Sequence, residues 1–91
     1  MIELLQTPTF KRAYKKLRDN ERKDVNTAIR NITDHPEMGE LKTGDLAGVR
    51  VYKFRMHDQQ ILLAYEYDGE KVILLMVIGV HEKFYRDLKN R

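Results

Sequence analysis

A histidine, a tyrosine and several cations stand together near the end of the sequence, in "VIGVHEKFYRDLK". If His81 ends an apolar strand and opens a helical turn, His81 and Tyr85 fall at i and i+4 on one side. Phe84 and Leu88, also four apart, would then anchor the turn to the core. Histidine titrates near neutrality, and tyrosine offers a hydroxyl proton and a ring that stacks on a base. Lys83 and Arg86 beside them would hold a phosphate. These parts suit metal-free cleavage of RNA, in which the ribose 2′-hydroxyl attacks the adjacent phosphate. A base takes the hydroxyl proton, an acid protonates the leaving oxygen, and a cation stabilises the charge that develops on phosphorus. The same residues have a plainer reading, in which His81 is the polar stop of a buried strand and Glu82 offsets its basic neighbours.

Two further basic groups are spaced for a surface. In "VRVYKFRM", Lys53 and Arg55 are two apart, so on a strand they share one face about 6.6 Å apart, at roughly 3.3 Å per residue. Arg50, Tyr52, Phe54 and Met56 alternate with them and face the other way. In "KRAYKKLRDNERK", Lys11, Arg12, Lys15, Lys16 and Arg18 fall largely off the apolar stripe of a helix. Such a stretch attracts nucleic acid or an acidic protein, or serves only as a solvated face.

The elements that must position these residues can be read from capping and periodicity. "MIELLQT" is a short opening strand, and Thr7-Pro8 supplies a capping hydroxyl followed by proline at the first helical position. Phe10, Ala13, Tyr14 and Leu17 then follow at helical spacing. A second helix begins around Asn20, repeats the stripe with Val25, Ala28, Ile29 and Ile32, and stops before Pro36. His35 to Gly48 reads as a loop. Three strands follow, "VRVYKFRM", "QILLAYEY" and "KVILLMVIGV", joined by "HDQ" and by "DGE", whose Asp-Gly pair is a hairpin signal. The last strand is apolar on both faces, which calls for a central or doubly covered position. The order is therefore β-α-α-β-β-β with a short C-terminal helix. This is an α+β domain in which a helical hairpin covers one face of a small curved antiparallel sheet and leaves the other face partly open.

Composition sets the outer limits. The 91 residues, 42% hydrophobic and 34% charged, suit one globular domain spanning 1–91. Cysteine is absent and the net charge is +3, so no disulfide or thiolate metal site is available, and a reducing cytoplasmic setting is compatible. No stretch has the length of a membrane span or the pattern of a signal peptide. Three separated histidines give no zinc signature, and Glu37, Glu40 and Asp45 lack calcium-loop spacing, so neither metal nor cofactor is expected. His57 reads as a turn residue, and His35 as a helix-end residue favoured by the dipole.

The order of elements, the link "HPEMGELKTGDLAGVRVYKFRM" with its "H-P-x-x-G" and "L-x-G-x-R", and "LLAYEYDGEKVILLMVIGVHEKFY" with its terminal "G-x-H-E" resemble the RelE/ParE superfamily of bacterial type II toxins. The resemblance covers nearly the whole chain. It implies a toxin neutralised by a cognate antitoxin. The target would be mRNA on the ribosome, cut by an endoribonuclease, or alternatively DNA gyrase, inhibited without catalysis. Residue by residue, the resemblance implies catalytic roles for Lys53, Arg55, His81 and Tyr85. RNA-binding roles would fall to Arg50, Lys83, Arg86, Lys11 and Lys15. The arginine of RelE-like enzymes at the start of the strand after Lys53 and Arg55 has no counterpart here. Gln60 or Ile61 takes its place, so Arg50, Lys83 or Arg86 would have to substitute.

Overall fold

Thr7 and Pro8 start the first helix as the sequence implies. In the computed structural model, which describes residues 2–56 and 59–79, helix α1 spans Pro8–Lys15. The Thr7 hydroxyl accepts from the Phe10 N–H at 3.1 Å and donates to the Leu75 carbonyl at 2.9 Å, so the cap also fixes the helix start to the sheet. Helix α2, Asp19–Asp34, opens with the Arg18 N–H donating to the Glu21 carboxylate at 2.8 Å. Arg22 closes the hairpin between them. Its guanidinium donates to the Lys15 carbonyl at 2.9 Å and lies 5.7 Å over the Tyr14 ring, satisfying an orphan acceptor at the end of α1.

Five strands form one sheet: β1 Glu3–Gln6, β2 Glu40–Leu41, β3 Val49–Met56, β4 Gln59–Tyr67 and β5 Lys71–Gly79, in the order β1-β5-β4-β3-β2. The β3-β4-β5 meander is antiparallel as expected, with Gly69 at φ +96° in the turn. Asp68 accepts from the Glu70 and Lys71 N–H groups, which holds its carboxyl below the usual carboxylate range. Two features extend the expected sheet. The opening strand β1 runs parallel to β5, so β1, β3 and β5 share one direction, and the helical hairpin supplies the crossover that this requires. Within the expected loop, Glu40 and Leu41 pair with Val51 and Arg50, and Gly44–Leu46 make a single 3-10 turn. The C-terminal helix of the sequence reading lies outside the described residues, as does His57.

Hydrophobic burial occurs on both faces of the sheet. On the helical face, Phe10, Val25, Ala28 and Ile32 pack against Met56, Ile61, Leu63, Tyr65, Val72, Leu74 and Val77, with Tyr52 and Phe54 at the margin. The other face, expected to be partly open, carries a second apolar cluster of Leu46, Val49, Val51, Leu62, Ala64, Leu75 and Met76. The cause is the composition of β4 and β5, which offer apolar side chains in both directions and cannot leave either face wet. The end of β3 that carries Lys53 and Arg55 departs from this pattern, as do the edge strands β1 and β2.

The loop after α2 is built around one buried hydroxyl. Tyr65 is 0% exposed, donates to the Pro36 carbonyl at 2.7 Å and accepts from the Gly39 N–H at 3.0 Å. A Cβ on Gly39 would lie 2.6 Å from that hydroxyl oxygen, so the motif "H-P-x-x-G" is a clasp for Tyr65. Arg50 completes it, donating to the Glu37 and Gly39 carbonyls at 3.0 and 2.9 Å. Burial raises the Tyr65 pKa, opposed by the Gly39 N–H and the Arg50 charge. Tyr65→Phe should therefore lower stability by about 1–3 kcal/mol, the usual cost of stranding buried hydrogen-bonding partners. Because the folded-state pKa lies above the unfolded one, the protonated phenol stabilises the fold fully below about pH 10, and this contribution is lost as the pH rises through the folded value. Urea titrations at neutral and strongly alkaline pH should show that loss in the wild type, with its Tyr65 part missing in Tyr65→Phe.

Candidate functional site

The strand β3 presents its two cations to solvent through simple alternation. Val49 and Val51 enter the second apolar cluster, while Lys53 and Arg55, on the same side and further along, are exposed. Their cross-strand neighbours are Leu62 and Gln60. Lys53 thus stands at the border where an apolar surface gives way to water, which keeps its ammonium accessible.

The short strand β2 adds two groups that the sequence reading left in a loop. Glu40 is opposite Val51, and Lys42, one step beyond the strand, donates from its N–H to the Val49 carbonyl at 2.8 Å. The Lys42 ammonium lies 3.0 Å from the Glu40 carboxylate. Glu40 titrates below the usual carboxylate range, held there by the hydrogen bond and charge of Lys42 with a further contribution from Lys53. One sheet face therefore sets Lys42 and Lys53 beside the Glu40 carboxylate, with Arg55 further along β3. The only sequence signal for this was the alternation of Glu40 and Lys42, too short to separate from a loop.

The remaining candidates are distributed differently. Arg50 is half-buried and directs its guanidinium to the loop carbonyls of the Tyr65 clasp, so it holds the start of β3 in place. Lys11 and Lys15 are exposed on α1, whose buried Phe10 packs on the helical face of the sheet. They therefore lie across the sheet from Lys53. His81, Tyr85, Lys83 and Arg86 lie outside the described residues. Among the described residues, no group of three or more His, Asp or Glu side chains is placed to hold a metal ion, and no helix is long and apolar enough to cross a membrane.

The surface can attract a polyanion. Lys53 and Arg55 are fixed to a strand rather than a loop, and spaced for successive anionic groups along an extended chain. Among the described residues the surface contains no histidine.

Comparison with known proteins narrows the reading. A family model described as the ParE-like toxin of type II bacterial toxin-antitoxin systems matches residues 4–89. A search of curated proteins finds no match. Among solved structures, a chain of the intact RelBE toxin-antitoxin complex of E. coli superposes with a TM-score of 0.70 at 15% identity, covering 90% of this chain and 100% of that one. The isolated E. coli RelE toxin gives 0.68 at 16% identity, covering 99% and 98%. A YoeB/ParE toxin from Agrobacterium tumefaciens gives 0.64 at 18% identity, covering 88% and 100%. At these identities the likeness is one of fold.

Proposed function

The chain belongs to the ParE-like toxins of type II bacterial toxin-antitoxin systems, and we propose that within this family it acts as a ribosome-dependent mRNA interferase. The observation that carries the proposal is the exposed pair Lys53 and Arg55 on β3, joined on the same face by Lys42. In the proposed reaction the substrate's 2′-hydroxyl attacks the adjacent phosphorus and the bond to the 5′-oxygen breaks, leaving a cyclic phosphate and a free 5′-hydroxyl. Lys53 and Arg55 stabilise the negative charge on the phosphoryl oxygens, while His81 and Tyr85 move the two protons. Lys83 and Arg86 hold the flanking phosphates. Lys11 and Lys15 contact ribosomal RNA from the helical layer, and Arg50 keeps β3 in register.

We assign a cognate antitoxin as partner, in keeping with the family description and with the RelBE complex that this fold resembles, and a cytoplasmic location, with which the absence of cysteine is compatible. Masking Lys53 and Arg55 is the shortest route to neutralisation. The direct test is incubation of the purified toxin with end-labelled mRNA, free or bound in programmed ribosomes. Cleavage only in the ribosomal complex is the expected outcome.

Glu40 offers a graded test of the same surface. Its carboxylate stands beside Lys42 and Lys53 and repels a phosphate, so Glu40→Gln should tighten RNA binding several-fold at low salt, with the gain shrinking as salt screens the charges. Fluorescence anisotropy with a short single-stranded RNA reads this directly. A second reading, non-catalytic inhibition of DNA gyrase, draws on the ParE-like family model and on Gln60 or Ile61 standing where the resemblance places an arginine in RelE-like enzymes. It predicts inhibited supercoiling and intact mRNA.

A further inference from the structure

Behind the basic face, between α2 and β3, lies a cleft of about 150 Å3 lined by Asp24, Thr27, Asn31, Tyr52, Phe54 and Arg55, with Ala28 behind them. We propose that it is a binding pocket for a guanine base of single-stranded RNA. The inference deepens the proposed function, since it supplies the base subsite for a strand whose phosphate rests on Lys53.

Shape argues first. A cavity near 150 Å3 accepts one planar ring system and is far smaller than sites for drug-sized ligands. Its wall is the stacked pair Tyr52 and Phe54, with ring centroids 6.0 Å apart and planes inclined by 19°, and bases stack on aromatic side chains. The Asn31 amide donates to the Tyr52 hydroxyl at 3.2 Å, which fixes the amide and leaves its carbonyl oxygen as an acceptor.

Access argues second. Strand β2 pairs only with Arg50 and Val51, so among the described residues no strand covers the outer edge of β3 from Tyr52 to Met56. A strand of RNA can pass round that edge, with a phosphate on the Lys53 side and its base on the α2 side. Arg55 serves both sides, because it starts on the basic face and reaches the rim of the cleft.

Hydrogen-bonding chemistry selects the base. Asp24 is a half-buried carboxylate on α2, an acceptor-only group that suits two adjacent N–H donors. Arg55 is a donor-only fork. Guanine alone among the four bases offers a ring N–H beside an exocyclic amino group on one edge and the O6 and N7 acceptors on the other. The pairing of arginine with O6 and N7 is the commonest specific contact to a base. Adenine and cytosine lack the ring N–H, and uracil lacks the amino group.

The test is a titration of the isotopically labelled protein, followed by NMR, with the four ribonucleoside 5′-monophosphates and with inosine monophosphate. The phosphate is common to all five, so differences between them read the base alone. Expected are at least about tenfold tighter binding of GMP than of AMP, CMP or UMP, weaker binding of inosine monophosphate, and GMP-specific shifts at Asp24, Asn31 and Phe54. Asp24→Asn should erase the preference and leave the phosphate-driven shifts at Lys53 intact. A short oligouridine carrying one guanosine should show the same preference over plain oligouridine. If only the mononucleotide does, the pocket belongs to a free nucleotide and the RNA assignment is overturned. Equal binding of all nucleotides, or GMP shifts confined to Lys53, overturns the pocket altogether. A GMP preference without cleavage of ribosome-bound mRNA would remove the proposed activity alone, and cleavage without the preference would remove the pocket alone.

Discussion

Phe10→Ala is expected to cost about 3–5 kcal/mol, the range for truncating a buried phenylalanine. Phe10 is 1% exposed and is the buried anchor of α1, an eight-residue helix. Helices this short have little stability of their own. The helix stays in place because Phe10 packs into the cluster beneath α2 and against the Tyr14 ring, 6.0 Å away between centroids, while Thr7 bonds its start to β5. Removing the ring leaves a cavity that the sheet cannot fill by shifting, since Leu74 and Val72 on β5 are held in register on both sides. For a domain whose whole stability is on the order of 5–15 kcal/mol, that is a large share. Equilibrium unfolding in urea should show a lower midpoint. Phe10→Leu, which keeps most of the volume, should recover over half the loss.

Lys53→Ala should act in the opposite way, sparing the fold and removing activity. Lys53 is exposed, so truncation should change stability by no more than about 0.5 kcal/mol. The same change removes the cation placed between the apolar cluster and Arg55. Single-turnover cleavage of ribosome-bound mRNA should slow by at least about tenfold, at the low end of what one stabilising group contributes to a transition state. Binding of the toxin to RNA should weaken much less, because Lys42 and Arg55 remain on that face. A proportional fall in binding and cleavage would instead mean that Lys53 only attracts the substrate.

Local rules carried much of this structure in plain view. Thr7-Pro8 marked the start of α1, Pro36 marked the end of α2, and the Asp-Gly of the last turn marked the β4-β5 hairpin. Alternation placed Lys53 and Arg55 on one face of β3. What the sequence hid depends on contacts far apart in the chain. The parallel pairing of β1 with β5 joins Glu3 to Lys71, and no local pattern records it. The strand β2 is two residues long, below the length at which alternation can be recognised, so Glu40 and Lys42 could not be assigned to the basic face. Arg50 looked like a surface cation by type, yet its guanidinium donates to the Glu37 and Gly39 carbonyls. The glycine of "H-P-x-x-G" was legible only as a turn former. Its need to be glycine comes from Tyr65, which approaches from 26 positions away in the chain.

The second apolar cluster follows from the same limitation. The sequence of β5 demanded cover on both faces, but where the cover stops is set by how β3 crosses the sheet. It stops at Lys53, where the site begins.

The most direct measurement is a map of transcript 5′ ends after a short pulse of toxin expression, made with translation running and again with translation arrested beforehand. An interferase acting on the ribosome predicts new 5′ ends within translated reading frames, absent when translation is blocked, and strongly reduced for Lys53→Ala at equal protein levels. Unchanged transcripts, accompanied by growth arrest and loss of DNA supercoiling, would contradict it and assign the toxin to gyrase instead.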